Sequence, residues 1–269
     1  MSAVALADAV DAAQFGGKAV ELGAAIRGGL PVPDGVALSV ELVDAVAAGD
    51  RAATDAVHHV FGRLGGAVAA RSSAVGEDSA TASFAGQHAT ELNVLSAEAL
   101  IAAVAAVRAS GHTAAALAYR KRAGVAGSPR VAVVVQRLVH SELAGVLFTR
   151  DPISGRDLRI VEAARGLGEA VVAGLINPER LTIDRAGRVL ERTAGDQDLM
   201  IVARAGGGVE QRAFTDRRAP VLGDHHVRAL NALAETCERV FGSSGHDLEW
   251  AFVGHELFLL QRRPITRQS

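Results

Sequence analysis

The sequence predicts an α+β protein in two unequal halves, and three observations carry that prediction. Residues 131–136 form an almost unbroken valine run, typical of a strand buried on both faces. Residues 224–241 place Val227, Leu230, Leu233, Ala234, Cys237, Val240 and Phe241 at helical spacing, with Gly242 as a stop. A Gly/Ser/Pro patch at 124–129 separates a helix-rich first half from a strand-rich second half, which sets expected lobes at 1–128 and 129–269.

The elements follow in order. Residues 19–26 are apolar and helical, opened by Gly16-Gly17-Lys18 and closed by Gly28-Gly29. The cluster Pro31 to Gly35 is a turn leading into a short strand at 36–38. Ser39 caps a helix at 40–48, and a second helix covers 51–64. A strand is expected at 68–71, then a loop of small residues at 72–86 and a returning strand at 88–94. Helices at 96–109 and 113–122 are divided by Ser110-Gly111. After the valine run come strands at 144–149, 158–164, 181–184 and 189–192, with one helical turn inside 166–174. Residues 194–223 are polar and glycine-rich and are expected to be irregular and mobile. Asp224 is placed as the cap of the long helix, and a β-hairpin closes the chain.

Composition excludes several classes. The chain has 269 residues, 49% hydrophobic and 22% charged, which is ordinary for a globular protein. A formal net charge of −2 gives no basic surplus for nucleic acid, so any phosphate site must be local. The lone Cys237 forms no internal disulfide and is expected as a buried small side chain. No signal pattern and no apolar run long enough for a membrane span appear, so the expected setting is cytoplasmic, with no membrane partner. The nine histidines include adjacent pairs at His58-His59 and His225-His226, which on a helix point in different directions and make no metal cluster.

Several residues offer chemistry. Gly16-Gly17-Lys18 at a helix start suits an anion through free N–H groups and a lysine, or is a plain turn before a surface lysine. It is not a Walker A loop. Arg71 carries a forked donor set suited to phosphate oxygens and enters a loop whose small residues allow close backbone approach; alternatively it is a structural arginine beside a surface loop. Gln136 either helps present backbone groups to a flat heterocycle or is an edge-strand glutamine.

The final hairpin is the most informative segment. Alternation puts Asp247 and Glu249 on one face, and Leu248, Trp250 and Phe252 on the other. A three-residue loop of Gly254, His255 and Glu256 would pair Val253 with Leu257, Glu249 with Gln261 and Asp247 with Arg263. A carboxylate beside an amide oxygen suits Mg²⁺, which commonly takes one or two protein ligands. An exposed strand face with an ordinary ion pair fits the same pattern.

Taken together, these segments resemble one family over nearly the whole chain. The signatures are Gly16-Gly17-Lys18 through Leu22-Gly23, Leu30-Pro31-Val32-Pro33-Asp34-Gly35, Arg71-Ser72-Ser73-Ala74 with Glu77-Asp78, and Ala82-Ser83-Phe84-Ala85-Gly86-Gln87. Val135-Gln136-Arg137-Leu138-Val139, the segment from Gly145 to Pro152, Gly166-Leu167-Gly168-Glu169, Asp247-Leu248-Glu249-Trp250 and Leu260-Gln261-Arg262-Arg263-Pro264 continue the series. They look like the N-terminal ATP-grasp domain of phosphoenolpyruvate synthase, pyruvate phosphate dikinase and rifampin phosphotransferase.

The resemblance implies an ATP-grasp fold, two lobes with ATP in the cleft between them, and roles residue by residue. Lys18 and Arg71 would bind ATP phosphates, and Ser83, Phe84, Ala85 and Gly86 would form a loop over them. Gln136 and Leu138 would border the adenine. Glu249 and Gln261 would hold Mg²⁺, Arg263 would contact phosphate, and Asp247 would support it. Lys18, Arg71 and Arg263 are thus the expected catalytic cations. In such proteins the phosphate passes to a histidine on a swivelling domain. No phosphohistidine motif occurs in the sequence, so that histidine is expected on a partner supplied in trans, with this chain a stand-alone ATP-binding subunit or a fragment. A lysine expected near Gly195-Asp196-Gln197 is absent. A non-catalytic nucleotide sensor, or a ligase forming an acyl phosphate on the same fold, are the rival expectations.

Overall fold

The computed structural model describes residues 1–76, 89–122, 127–242 and 245–265. They fold into two compact units: the first is 1–27, 33–138 and 204–208, and the second is 28–32, 139–203 and 209–269.

The first unit is built on a five-stranded antiparallel sheet. Its strands are β1 (Ala3–Ala5), β2 (Gly35–Leu38), β3 (Val68–Ala74), β4 (Thr90–Val94) and β5 (Val131–Arg137), in the order β1-β2-β5-β3-β4. The valine run is therefore the central strand, and Val131, Val133 and Val135 are fully buried, as a two-sided core strand requires. Five helices accompany the sheet: α1 (Ala12–Arg27), α2 (Val40–Ala47), α3 (Arg51–Leu64), α4 (Ala97–Ser110) and α5 (Ala114–Arg122). Side-chain caps start all five, each accepting from a backbone N–H of the first turn: Asp11 from Ala13, Ser39 from Leu42, Asp50 from Ala53, Ser96 from Ala99 and Thr113 from Ala116. The core joins Val43 and Val46 of α2, Val57 and Val60 of α3, and Leu100 and Val104 of α4 to the sheet valines.

Two expectations in this unit change. α1 begins at Ala12 but is broken at Gly16, whose φ of 75° and ψ of 169° are not helical. The break lets the chain pass against β3, where Ser73 bridges it: its hydroxyl donates to Phe15 O at 2.7 Å and accepts from Ala19 N at 3.0 Å. β3 runs on through Ser72, Ser73 and Ala74, residues expected in a loop, because each pairs with β5 and is buried there. Asn93, at φ 56°, donates its side-chain amide to the carbonyls of Arg204 and Gly208 at 2.6 and 2.8 Å.

The second unit holds a six-stranded antiparallel sheet. Its strands are β6 (Leu143–Phe148), β7 (Arg159–Arg165), β8 (Glu179–Ile183), β9 (Val189–Thr193), β12 (His246–Val253) and β13 (Glu256–Pro264), in the order β13-β12-β6-β7-β8-β9. One turn of helix, α6 (Glu169–Val172), lies in the expected segment. The stretch expected to be irregular contains a two-stranded ribbon, β10 (Leu199–Ala203) with β11 (Val209–Ala213). β11 is exposed throughout, so no apolar alternation marked it. Within the same stretch Gln197 is buried and imitates a strand, accepting from Arg165 N at 3.0 Å and donating to Arg165 O at 2.9 Å. That gives the position of the missing lysine a structural occupant.

α7 (Asp224–Phe241) runs along one face of this sheet, with His226 against the Phe252 ring and Phe241 against the His246 ring. Its cap is Gly223, not Asp224, and Gly242 ends it in the left-handed conformation at φ 63°. Glu179, only 3% exposed, ties the segment before the helix to β8 by accepting from Leu222 N at 2.9 Å and Arg192 Nη1 at 2.8 Å. Glu179→Ala is expected to cost roughly 3 kcal/mol in urea unfolding, because a buried N–H and an arginine lose one shared acceptor; Glu179→Gln, which keeps an acceptor, is expected to cost less. Among the described residues no single helix is long and apolar enough to cross a membrane.

Candidate functional site

Two groups of the expected residues come together, one within each unit. In the first unit, the break at Gly16 turns Lys18 inward. Its side chain is 8% exposed, and Nζ donates to Ser72 O at 2.7 Å. Arg71 precedes that serine on β3 and makes a long hydrogen bond, 3.4 Å, from Nη1 to Gln136 Oε1. Gln136 lies on the central strand, buried and paired with Gly35 and Ala69, and its Nε2 donates to Pro33 O at 3.3 Å. It is thus not an edge-strand glutamine. Leu138 follows where β5 ends, its N–H bonded to Ala67 O at 2.9 Å. Ser83, Phe84, Ala85 and Gly86, with Glu77 and Asp78, lie outside the described residues.

In the second unit, β12 and β13 pair Glu249 with Gln261 and Asp247 with Arg263, the register expected from sequence. The route to it differs. The turn is two residues, Gly254 and His255, with Val253 opposite Glu256 and Phe252 opposite Leu257. Glycine at φ 55° in the first position suits a tight hairpin turn. The one-residue discrepancy is absorbed by a β-bulge, because Trp250 pairs with Leu259 while Glu249 pairs with Gln261, leaving Leu260 as the extra residue. The bulge also sorts the faces. Leu257, Leu259, Gln261 and Arg263 share one parity, yet the two leucines join the Trp250 and Phe252 side while Gln261 and Arg263 join Glu249 and Asp247.

Arg263 reaches diagonally from its register partner to Glu249, Nη2 to Oε1 at 2.6 Å, with both side chains largely buried. A charge-assisted bond of that length holds the carboxylate in a fixed orientation. Gln261 beside it is 6% exposed. The opposite face is sealed by Leu248, Trp250 and Phe252, each fully buried. On that side Arg262 stacks over Phe241 at 4.3 Å and donates to His246 Nδ1, which anchors the strand end.

The register extends the polar face across the sheet. Glu249 pairs with Val146, Val146 with Glu162, and Glu162 with Arg180, so the two acids and the arginine share one face. Arg180 donates to Glu162 at 2.9 Å. Arg180 was not singled out from sequence, although the alternation of β8 marks it as facing opposite Glu179 and Leu181. Near this face the Asp151 carboxyl is held below its ordinary range, first by the Ser154 hydroxyl, then by backbone N–H groups and the charge of Arg180.

Glu249 and Gln261 offer two hard oxygen donors side by side, which fits Mg²⁺ with its remaining positions left to water and phosphate oxygens. Among the described residues no three His, Cys, Asp or Glu side chains form a metal cage. The chemistry of the pair matches a cation shared with a ligand.

Known proteins carry related sequences. A rifampicin phosphotransferase from a Streptomyces species is 36% identical over 304 aligned positions, covering 96% of this chain. A probable phosphoenolpyruvate synthase from Archaeoglobus fulgidus is 39% identical over 202 positions and 74% of this chain, and a rifampicin phosphotransferase from Streptomyces sviceus is 40% identical over 204 positions and 74%. The chain spans 35%, 27% and 23% of the lengths of these three relatives. Among solved structures, a D-alanine–D-alanine ligase from Bacillus anthracis aligns at 10% identity over 92% of this chain and 56% of that one, with a TM-score of 0.42, a likeness too weak to bear on fold or function. The model of the family described as pyruvate phosphate dikinase, AMP/ATP-binding domain, matches residues 41–269. With that match and a relative 36% identical across 96% of it, the chain belongs to the pyruvate phosphate dikinase AMP/ATP-binding domain family.

Proposed function

We propose that this chain is the ATP- and Mg²⁺-binding module of a phosphoenolpyruvate-synthase-like phosphotransferase of the ATP-grasp type. It would prepare ATP for transfer of a phosphoryl or pyrophosphoryl group to a histidine on a separate domain or partner subunit. The observation that carries the proposal is the hairpin register, in which Glu249 and Gln261 stand side by side with Arg263 bonded to the carboxylate. Family membership supports the nucleotide, and the two hard oxygens support the cation.

Each residue then has a task. Lys18 and Arg71 supply donors to phosphate oxygens, and Lys18 is already desolvated, which strengthens its attraction for an anion. Gln136, pinned through Pro33, fixes the end of β5 so that the backbone near Leu138 meets the adenine at a set distance. Asp247 supports Arg263 from the register position directly opposite it. Bound Mg²⁺ supplies positive charge that orients and neutralises the phosphate oxygens. Positioned cations lower the barrier because charge spreads over those oxygens in the transition state.

The test is ATP titration calorimetry with and without Mg²⁺, on the wild type and on Glu249→Ala. The variant is expected to lose the gain in affinity that Mg²⁺ confers, roughly tenfold or more for one lost charged ligand. An unchanged Mg²⁺-dependent gain would overturn the metal assignment. Labelled ATP mixed with a phosphohistidine-domain protein tests the transfer itself, with label on the partner's histidine as the expected result.

A further inference from the structure

The three imidazoles His225, His226 and His255 gather at the turn end of the hairpin. His225 and His226, neighbours in sequence, have ring centroids 3.7 Å apart, and His255 from the β12–β13 turn meets His225 edge-on at 4.7 Å. His226 lies against the Phe252 ring at 4.8 Å, and its Nδ1 accepts the N–H of Gly223 at 3.0 Å. That bond is the reaching-back half of a capping box, made by an imidazole where glutamate or glutamine is usual.

Acceptance through Nδ1 requires that nitrogen to be unprotonated. A proton there removes the cap, places positive charge at the positive end of the α7 dipole and sets it beside two further imidazoles. The groups acting on His226 are His225 from its own helix, His255 from the hairpin turn and the uncharged Phe252 from β12. The carboxylates adjoining in sequence, Asp224 and Glu256, are not among the charges that act on it.

We infer that this cluster is a proton-sensitive clasp between the start of α7 and the turn of the β12–β13 hairpin, closed when His226 is neutral and loosened when it is protonated. The inference is independent of nucleotide binding. In agreement with it, burial and then the charges of His225 and His255 hold the His226 imidazole below its ordinary value of 6.5. A histidine depressed in the folded state binds fewer protons there than in the unfolded chain. Its contribution to stability is therefore whole above 6.5 and is lost as pH falls through the lowered folded value.

The full chain is unfolded thermally at about pH 7.5 and about pH 5.5, as wild type and as His226→Gln, whose amide oxygen keeps the cap without titrating. The wild type is expected to lose roughly 2–4 °C more than the variant over that interval. An equal loss in both would overturn the clasp. Should His226→Gln fail to fold, NMR titration of the wild-type His226 ring decides: a midpoint below 6.5 that rises in His225→Ala supports the clasp, and a midpoint at or above 6.5 overturns it.

Discussion

Gly16→Ala is expected to destabilise the first unit by about 3 kcal/mol or more and to weaken ATP binding by moving Lys18. Two costs combine. Gly16 sits at φ 75° and ψ 169°, a region that only glycine visits freely, and another residue there costs about 1–3 kcal/mol. A Cβ would also overlap the carbonyl oxygen of Ser73 and stand 2.5 Å from its hydroxyl, so backbone must move. Ser73 bridges the helix break on both sides, and Lys18 donates to the residue before it. Displacing β3 from Gly16 therefore displaces Lys18 and Arg71 together. Urea unfolding measures the first effect and ATP titration the second. Wild-type stability in the variant would show that the close approach is dispensable.

Gly145→Ala is expected to cost a similar amount in the second unit, about 3 kcal/mol, through packing alone. Gly145 lies on β6 between Trp250 of β12 and Ala163 of β7. A Cβ there would overlap the Glu162 carbonyl oxygen and approach Trp250 Cζ2 to 2.9 Å. Trp250 is fully buried and walled by neighbours, so it has nowhere to retreat. Relief must come from β7 or β12 shifting, and those strands carry Glu162 and Glu249. The expected signature is a lower unfolding midpoint together with a smaller Mg²⁺-dependent gain in ATP affinity. Loss of stability with the gain intact would mean that the polar face tolerates movement of its strands.

Local signals made much of this fold legible. α3 could be bounded to the residue because Asp50 caps it and its apolar positions keep the helical period. The valine run announced a central strand, and Gly242 announced the end of α7. The failures share a cause. Ser72, Ser73 and Ala74 are buried by tertiary pairing with β5 and carry no apolar signature of a strand. β10 and β11 pair only with each other, so β11 shows no alternation. His225 and His226 were expected to diverge on a helix, yet at its first turn they meet and take in a third imidazole from a distant turn. For the candidate site, the polar alternation on the hairpin was readable as a pattern. The diagonal reach of Arg263 to Glu249 and the extension to Arg180 depend on side-chain conformation and sheet order, which no single strand encodes.

The bulge at Leu260 divides the hairpin into two segments whose registers differ by one residue. On the turn side, the odd-numbered residues of β13 belong to the hydrophobic interior; beyond the bulge, the same parity belongs to the charged face. A slip of one residue would normally reverse every side chain of a strand. Here the slip is built in at one place and corrected once, so the alignment of Glu249 with Gln261 is set by Leu260 and not by the length of the connection. The turn is released from register-keeping, and evolution can spend its two residues on other duties. His255 occupies one of them.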